Sequence, residues 1–264
     1  MKYNKFYISI LLTLLAGTIC RAQNNYVQQD NVTVAGVTSS AQLYSLPVGQ
    51  RQTVRSYYDG FGRPVQTVAV QASVNNNNDI VQPIQYDNLG RQTKQYLPYV
   101  GTDGTGSYHS NAPTEQLAYY SSAYGDSSPF SAQIFDNSPL QRLLGSGSVG
   151  DGFQPVSGQH YKTVSYRNNT AADNVIIFSA TGTYAVGAYY AANLLTVTDG
   201  KDEDGIETIA FNDMLGRTIL KRQVTGNVSA PYLDTYYIYN SSGWMAFIVT
   251  PKGTSTIIAS PCPR

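Results

Sequence analysis

One five-residue word occurs three times in the chain and constrains the fold more than any other feature. The word reads Asp-x-Phe/Leu-Gly-Arg and occupies residues 59–63, 87–91 and 213–217. The first two copies directly follow Tyr58 and Tyr86, and the third follows Phe211 with one residue between them; each copy precedes a run that is typical of a β-strand. Internal repetition of this kind indicates that one small structural unit is used several times. The sequence therefore predicts the same local structure at three places.

Each residue type in the word suits a tight reversal of the chain. The acid can accept hydrogen bonds from backbone amides two residues on, and the glycine can adopt a positive φ at no steric cost. The arginine begins the outgoing strand, where its guanidinium can pair with an acid or lie over a tyrosine ring. The apolar residue before the glycine is expected to cover the turn. The predicted structural turn residues are Asp59, Gly62, Arg63, Asp87, Gly90, Arg91, Asp213, Gly216 and Arg217.

Strand-like runs recur along most of the chain. The last two runs are separated by a degenerate copy of the word, with Asn240 in place of the acid and Trp244 in place of the arginine. Each run is rich in Val, Thr or Tyr and ends in Gly, Asn, Asp or Pro, as strands and turns do. The runs cover residues 52–58, 63–71, 80–86, 91–99, 160–167, 174–181, 193–199, 206–211, 217–225, 233–240 and 244–250. Residues 112–124 alone predict a helix, with Thr114 as N-cap. We therefore predict an all-β chain of antiparallel hairpins that form an open, curved sheet, with little helix outside the N-terminal signal peptide described next.

Residues 1–22 predict a signal peptide and hence a secreted or cell-surface protein. Lys2 and Lys5 precede an apolar run, residues 6–16, that is too short to span a bilayer comfortably. Cleavage after Ala22 is expected. Cys20 raises the alternative of a lipoprotein, although Ile19 stands where a small residue is expected. Without the leader Cys262 is the only cysteine, which excludes an intramolecular disulfide and a cysteine-rich metal site.

The charge composition argues against a nucleic-acid partner. The chain has 17 basic and 17 acidic residues, so it lacks the excess of positive charge that counterion release requires. Its 22 tyrosines leave two alternatives for residues 118–124, 188–193 and 234–240. Their rings can stack on cell-surface glycans, or they can form ladders between neighbouring strands, which their position near strand ends favours. No transmembrane segment is predicted after signal cleavage.

Motifs associated with catalysis or cofactors are weak in this sequence. Gly145, Gly147 and Gly150 match G-x-G-x-x-G, but the residues around them read as loop where a dinucleotide site needs a strand and a helix. His109 and His160 are interpreted as packing or surface residues, because no nucleophile is marked beside either. No catalytic, cofactor-binding or metal-ligating residue is assigned, and the chain is predicted not to be an enzyme.

The acidic run at residues 199–205 is the remaining candidate for ligand binding. Asp202 and Asp204 fit two positions of a calcium-binding loop, but Gly200 and Phe211 stand where two further ligands are needed. A solvated turn between two strands is therefore the better interpretation, with weak calcium binding left as an open alternative.

The repeated word resembles the YD repeat of the RHS (rearrangement hotspot) family. In addition, "PFSAQIFDNSPLQRLLGSG" at 129–147 and "TYYIYNSSGWMAFIVTPKG" at 235–253 follow the words in an order similar to a domain of unknown function. That domain lies at the N-terminus of large secreted RHS proteins of Gram-negative bacteria. The resemblance covers residues 50–252, after a polar lead-in at residues 23–49. Residues 253–264 diverge from it, as expected of a truncated copy, a fragment or a shifted reading frame.

The resemblance implies a structural role. Members of the family form a hollow β-sheet shell around a variable C-terminal toxin, and the self-cleaving core and toxin would lie beyond these repeats. The expected partner is the rest of a longer RHS protein, and the alternative function is a carbohydrate-binding or adhesion module. An open sheet segment has unpaired edge strands, so the chain is also expected to self-associate.

Overall fold

The computed structural model describes residues 25–74 and 77–259. The predicted signal peptide, Cys20 and Cys262 lie outside these residues. Within them, sixteen strands form: β1 Asn25–Val32, β2 Arg51–Tyr58, β3 Pro64–Val70, β4 Ile80–Pro83, β5 Lys94–Tyr96, β6 Tyr99–Val100, β7 Phe130–Phe135, β8 Leu143–Gly147, β9 Lys162–Asn168, β10 Ile176–Phe178, β11 Tyr184–Tyr189, β12 Thr196–Lys201, β13 Glu207–Asn212, β14 Thr218–Val224, β15 Tyr232–Tyr239 and β16 Met245–Val249.

The strands form antiparallel, open sheets in two units of the chain. The first unit takes residues up to 84 together with residues 97–119, and its sheet has the order β1-β2-β3-β4-β6. The second unit takes residues 85–96 and those from 120 onward, and it contains a nine-stranded sheet, β16-β15-β14-β13-β12-β9-β8-β7-β5, beside the hairpin β10-β11. The predicted all-β fold of antiparallel hairpins in an open sheet is confirmed.

Three short helices accompany the strands in the described residues: α1 Ser40–Ser45, α2 Ala112–Tyr124 and α3 Pro251–Ala259. The bounds of α2 agree with the prediction, but Thr114 is not its N-cap. Thr114 lies within the first turn, and its amide donates to the carbonyl of Asn111 at 2.9 Å. Helix α1 begins at a capping box in which Ser39 and Gln42 exchange hydrogen bonds, a signal in the sequence that the prediction did not use. None of the helices in these ranges is long and apolar enough to cross a membrane.

The sequence did not predict four of the longer strands, β1, β7, β8 and β11. Strand β1 is polar and exposed along most of its length, and it pairs with β2 over eight residues, from Asn25 opposite Tyr58 to Val32 opposite Arg51. Its apolar alternation is weak because it lies at the edge of the sheet, where neither face needs to be fully buried. The position of β1 in the sheet is therefore determined by its pairing with β2 and not by the pattern of its own residues.

The core of the second unit is a row of side chains that runs across four strands. Val197, Phe211, Leu220 and Tyr236 are directly opposite one another on β12, β13, β14 and β15. Each is at most 1% exposed. Directly opposed apolar side chains on one face stabilise an antiparallel sheet. Two residues along, the same face carries a buried ion pair, in which the Arg222 guanidinium donates twice to the Asp234 carboxylate at 2.8 Å.

The core of the first unit is partly polar. Tyr57, Gln66, Val68 and Val81 are buried on β2, β3 and β4, and the loop of residues 101–109 covers this face. The Tyr57 hydroxyl donates to the carbonyl of Gly106 in that loop. The Gln66 side chain donates to the carbonyl of His109 at 3.0 Å and accepts from its amide at 2.9 Å. Buried polar side chains of the sheet therefore fix the position of the loop.

Candidate functional site

The first copy of the repeated word forms a closed turn between β2 and β3. The Asp59 amide donates to the Arg63 carbonyl at 2.9 Å, and the Gly62 amide donates to the Asp59 carbonyl at 3.1 Å. Gly62 has a φ of 76°. A turn followed by a left-handed glycine that forms a bulge is a common three-residue hairpin loop. The strand pairing accordingly shifts register between Tyr57 and Tyr58.

The aspartate side chain fixes this turn from inside. One oxygen of Asp59, Oδ1, accepts from the amides of Phe61 and Arg63, both at 2.9 Å. The other oxygen, Oδ2, accepts from Arg63 Nε at 2.8 Å. Each carboxylate oxygen therefore has a structural partner within five residues of chain.

The second and third copies repeat this geometry. In both, the Oδ1 of the acid accepts from two backbone amides at 2.9 Å, and Oδ2 accepts from the arginine Nε at 2.8 Å in the second copy and 2.7 Å in the third. Gly90 and Gly216 have φ values of 77° and 78°. The arginine also lies over an aromatic ring, with Arg91 on Phe135 and Arg217 on Tyr239, each 4.9 Å from the ring centre. All nine predicted turn residues thus lie in three equivalent turns and not around one pocket.

The second turn differs in what it connects. Strand β4, before it, belongs to the five-stranded sheet, whereas β5, after it, belongs to the nine-stranded sheet. The turn at residues 87–91 therefore lies between strands of two different sheets, where the prediction expected a hairpin. Local sequence specifies the turn but not the partners of the flanking strands.

The apolar residue of the word does not cover the turn, contrary to expectation. Phe61 is 88% exposed, Leu89 63% and Leu215 77%. In each turn this residue precedes the left-handed glycine and its side chain is largely exposed, although the Phe61 ring lies 5.3 Å from the Arg63 guanidinium. The apolar tips of the turns are therefore exposed surface features.

The same turn recurs where the sequence carries only part of the word. In the predicted degenerate copy, the Asn240 Oδ1 accepts from the amides of Ser242 at 3.1 Å and Trp244 at 2.9 Å. Residues 202–206 and 179–183 close with the same pair of backbone bonds and a glycine at the fourth position. Residues 136–142 form a longer version, in which Asp136 binds both the amide and the Nε of Arg142.

This recurrence gives the acidic run at 199–205 a structural role. Asp202 begins the turn between β12 and β13, and its Oδ1 accepts from the amides of Asp204 at 3.1 Å and Ile206 at 2.8 Å. The run is thus a turn between two strands. The glycines of the G-x-G-x-x-G match have strand roles as well, because Gly145 and Gly147 lie in β8 and only a three-residue 3₁₀ turn follows Gly150.

Hydrogen bonding lowers the pKa of the turn carboxylates. Backbone and side-chain bonds from Arg63 hold the pKa of Asp59 below its ordinary value, and Arg91 does the same for Asp87. Burial acts to raise the pKa of Asp213, but the hydrogen bonds and the charge of Arg217 outweigh it and the pKa is lowered. The turns therefore favour the ionised acid.

The two histidines lie in different surroundings. His160 is exposed, and its Nδ1 lies 3.1 Å from the carbonyl of Glu203. His109 is buried, with its Nδ1 2.7 Å from a Glu115 carboxylate oxygen in the first turn of α2. The same oxygen accepts from the Tyr99 hydroxyl at 2.7 Å. Burial and the Glu115 charge raise the pKa of Tyr99.

His109 belongs to a polar cluster that the sequence analysis did not identify. One carboxylate oxygen of Asp79, one of Asp103 and a ring nitrogen of His109 lie within 4.8 Å of one another. Asp79 comes just before β4, and the other two residues lie in the loop after β6. The pairing of β4 with β6 brings the residues together, and the Gly101 amide extends this pairing by donating to the Asp79 carbonyl at 2.8 Å. The one sequence signal was the glycine-rich loop that contains Asp103 and His109.

The tyrosines mostly contribute to packing in the described residues. Tyr236 is 1% exposed and packs against Phe178, with ring centres 5.0 Å apart, and burial raises its pKa to about 12. Tyr57 packs against Tyr26 on the neighbouring strand and against Tyr108. Tyr232 is half exposed and lies beneath the Arg222 guanidinium, 4.4 Å from its ring centre. The contact between Tyr26 and Tyr57 joins neighbouring strands, as the cross-strand interpretation expects, whereas Phe178 and Tyr108 lie outside the strands that neighbour their partners.

Comparisons with known proteins give a family match and a shared fold. A family model described as "Domain of unknown function (DUF6443)" matches residues 30–168, slightly more than half of the chain. Comparison with curated proteins finds no match. The crystal structure of TcdB2-TccC3-TEV aligns with 80% of this chain at a TM-score of 0.50 and 17% identity, and a Photorhabdus luminescens Tc holotoxin pore aligns with 80% at a TM-score of 0.47 and 15% identity. This chain spans only 9% of the length of either of those chains.

Replacing each glycine of the first turn with alanine should affect the stability of the chain in a different way. Gly62→Ala forces a side chain into a positive φ and should lower the free energy of unfolding by about 1–2 kcal/mol. Gly60→Ala is the matched control: its φ lies outside that region and its Cβ would meet no atom within 4 Å, so its stability should be unchanged or slightly higher. Thermal unfolding followed by circular dichroism measures both. Equal losses in the two variants would contradict the assigned turn geometry.

Replacing Asp213 should separate its hydrogen bonds from its charge. The pKa of Asp213 is lower in the folded chain than in the unfolded chain, where it is about 4. Ionised Asp213 therefore stabilises the fold above pH 4, and this stabilisation is lost as the pH falls through the folded pKa. Asp213→Asn keeps the amide acceptor, as Asn240 does, so it should cost about 0.5–1 kcal/mol at pH 6 and show a smaller loss of stability between pH 6 and pH 3. Asp213→Ala should cost more at both pH values.

Urea unfolding of the three proteins at pH 6 and pH 3 measures these differences. An Asp213→Asn variant with the full acid sensitivity of the unsubstituted chain would show that the charge of Asp213 has no part in stability.

Proposed function

The chain belongs to the DUF6443 family, and from that premise we propose that it is a non-enzymatic structural segment of a secreted RHS-type β-sheet shell. In this proposal it forms the N-terminal part of the shell, and the rest of a longer protein continues the sheet and surrounds a C-terminal toxin. The role of the chain is to form part of the β-sheet of the shell, and its repeated turns connect the strands of that sheet.

The observation that carries the proposal is the open edge of the nine-stranded sheet at β16. Among residues 25–74 and 77–259, this strand pairs with β15 on one side and is the last in the strand order. Three of its apolar side chains, Met245, Phe247 and Ile248, are 48–53% exposed, and the adjacent Trp244 is 73% exposed. An exposed apolar edge strand is a template for pairing with further strands. A continuing sheet would cover both the backbone and these side chains.

The recurring turn supports the same proposal. In five hairpins of the described residues, which belong to three sheets, a turn of the same kind joins two neighbouring strands, and a longer version joins β7 to β8. The three full words resemble YD repeats, the unit of RHS proteins. A structure built from similar neighbouring units can extend through many more repeats.

The alignment with TcdB2-TccC3-TEV is consistent with a segment of a much longer wall. Most of this chain aligns with a small part of that one, and the low sequence identity limits the likeness to the fold. The enclosed toxin and export through the inner membrane rest on the RHS resemblance and on the predicted signal peptide at residues 1–22.

The proposed absence of catalysis is supported by the roles of the candidate residues. The carboxylates of Asp59, Asp87 and Asp213 are each bound by two amides and an arginine, which leaves them poorly placed to exchange protons. His160 faces a backbone carbonyl. The glycan-binding alternative has no comparable support among the described tyrosines, which pack mainly against protein.

The open edge predicts self-association of the purified chain through β16. Because Trp244 is the only tryptophan, its fluorescence emission should shift to shorter wavelength with concentration as the edge becomes covered. Phe247→Lys should weaken the association at least about tenfold, since a charged lysine at an edge opposes strand pairing. Val228→Lys, at a position that is 96% exposed between β14 and β15, is the control and should associate as the unsubstituted chain does. Analytical ultracentrifugation provides the second measurement, and a strictly monomeric chain would contradict the open-edge model.

The proposal also predicts the size and location of the native protein. An antibody raised against this chain should detect a polypeptide much larger than 28.8 kDa in the extracellular or envelope fraction. Mass spectrometry of that polypeptide should find an N-terminus at Gln23. A cytoplasmic product of 28.8 kDa that retains residues 1–22 would overturn the proposal of a secreted shell segment.

A further inference from the structure

We propose that Asp79, Asp103 and His109 form a binding site for one divalent transition-metal cation, for which Zn²⁺ is the best match. The site lies within the first unit, beneath the loop of residues 101–109. This assignment goes beyond the shell function and is independent of it.

The histidine provides the main evidence. His109 is 9% exposed, and its Nε2 is buried without a hydrogen-bond partner. Buried polar atoms in proteins are almost always paired, so an unpaired one needs an explanation such as a bound ion. The other ring nitrogen, Nδ1, lies 2.7 Å from Glu115. Metal-binding histidines commonly have a carboxylate on the nitrogen that does not face the metal, because it fixes the tautomer and orients the ring.

The two aspartates supply fixed oxygen atoms. Asp79 is fully buried, and its two oxygens accept from the amides of Gln71 at 2.8 Å and Gly106 at 2.6 Å. Each carboxylate oxygen has a second lone pair, so both can still bind a cation. Asp103 Oδ1 accepts from the amide and hydroxyl of Thr105 at 2.9 and 2.8 Å, whereas Oδ2 accepts neither of these bonds.

The charge of the cluster also favours a cation. Among the described residues, no lysine or arginine forms an ion pair with Asp79, although its carboxylate is out of contact with solvent. A buried carboxylate without a positive partner is costly, and buried charges are normally paired or bound to a metal. A divalent cation between Asp79 and Asp103 would neutralise both.

The loop is shaped to bring these groups together. A Cβ on Gly101 would lie 3.3 Å from His109 Cε1, and one on Gly104 would overlap the carbonyl oxygen of Asn77. Gly106 has a φ of 68° and approaches Arg55 closely. Glycine at these positions therefore lets the backbone pass close to the histidine ring and to the strand that begins after Asp79. The cluster is preorganised before a ligand arrives.

The donor set identifies the class of cation. One imidazole nitrogen and two carboxylate oxygens suit Zn²⁺ with bonds of about 2.0–2.2 Å, which places ligand atoms about 3.4 Å apart. The ligand atoms here lie within 4.8 Å of one another, so they must approach by at most about 1.4 Å to bind one cation, and the Asp103 side chain is only half-buried and can turn. A histidine ligand disfavours Mg²⁺ and Ca²⁺, which prefer oxygen donors alone. The bound cation would clamp the loop onto the sheet, with water as a further ligand.

The test measures zinc on the purified full chain after treatment with a chelator and reloading with zinc chloride. Elemental analysis should find about one zinc per chain, and the melting temperature should rise with zinc more than with magnesium or calcium chloride. Asp103→Asn should lower the zinc association constant at least about tenfold, and Glu115→Gln should lower it by about ten- to a hundredfold through the histidine it orients. His160→Gln and Cys262→Ser are the controls and should bind zinc as the unsubstituted chain does.

Nuclear magnetic resonance of the histidine side chains gives an answer that does not depend on the folding of a variant. The sequence has only two histidines, so the His160→Gln spectrum assigns the signals of His109. Zinc should move the Nε2 signal of His109 and leave that of His160 in place. Less than about one tenth of a zinc per chain, an unmoved His109 signal, or binding that is lost in either control would overturn the proposal.

Discussion

The interaction on which the rest of the structure depends is a side-chain oxygen that accepts two backbone amides within one turn. Five turns of the described residues have it, at Asp59, Asp87, Asp202, Asp213 and Asn240. Asp59 and Asn240 show that the oxygen matters more than the charge, since both make the same pair of bonds. The bonds satisfy amides that the strand ladder cannot reach, and the glycine that follows takes the positive φ that closes the turn. In the three full copies of the word, the arginine Nε also donates to the second carboxylate oxygen, and the backbone bonds of the turn stay the same.

A turn of fixed geometry also sets the register of the strands that it joins. Because successive side chains of a strand face opposite sides, an error of one residue would expose the whole apolar face. The register places Phe211 opposite Leu220, and Leu220 opposite Tyr236, in one buried row. It also places Arg222 opposite Asp234, so that the charge buried in this core meets its partner. Core and turns are thus two consequences of one pairing scheme.

In the first unit, the buried core contains polar groups as well as apolar side chains. Its sheet presents Tyr57 and Gln66 to a glycine-rich loop, which binds them through backbone atoms. This arrangement buries charged and polar side chains that a purely apolar core would exclude, among them Asp79 and His109. A polar interior must be satisfied completely to be stable, which is the physical reason to look for a cation there.

The sequence by itself determined the turns, most strand positions and the all-β class, because these follow from residues within five or six positions of one another. It also specified helix α2, whose bounds at residues 112–124 agree with the prediction. Tertiary structure decided which strands became neighbours, so that the turn at 87–91 leads into a different sheet and the polar strand β1 finds a partner. It alone brought Asp79 to His109, since contacts between distant residues depend on strand pairing and carry no local signal.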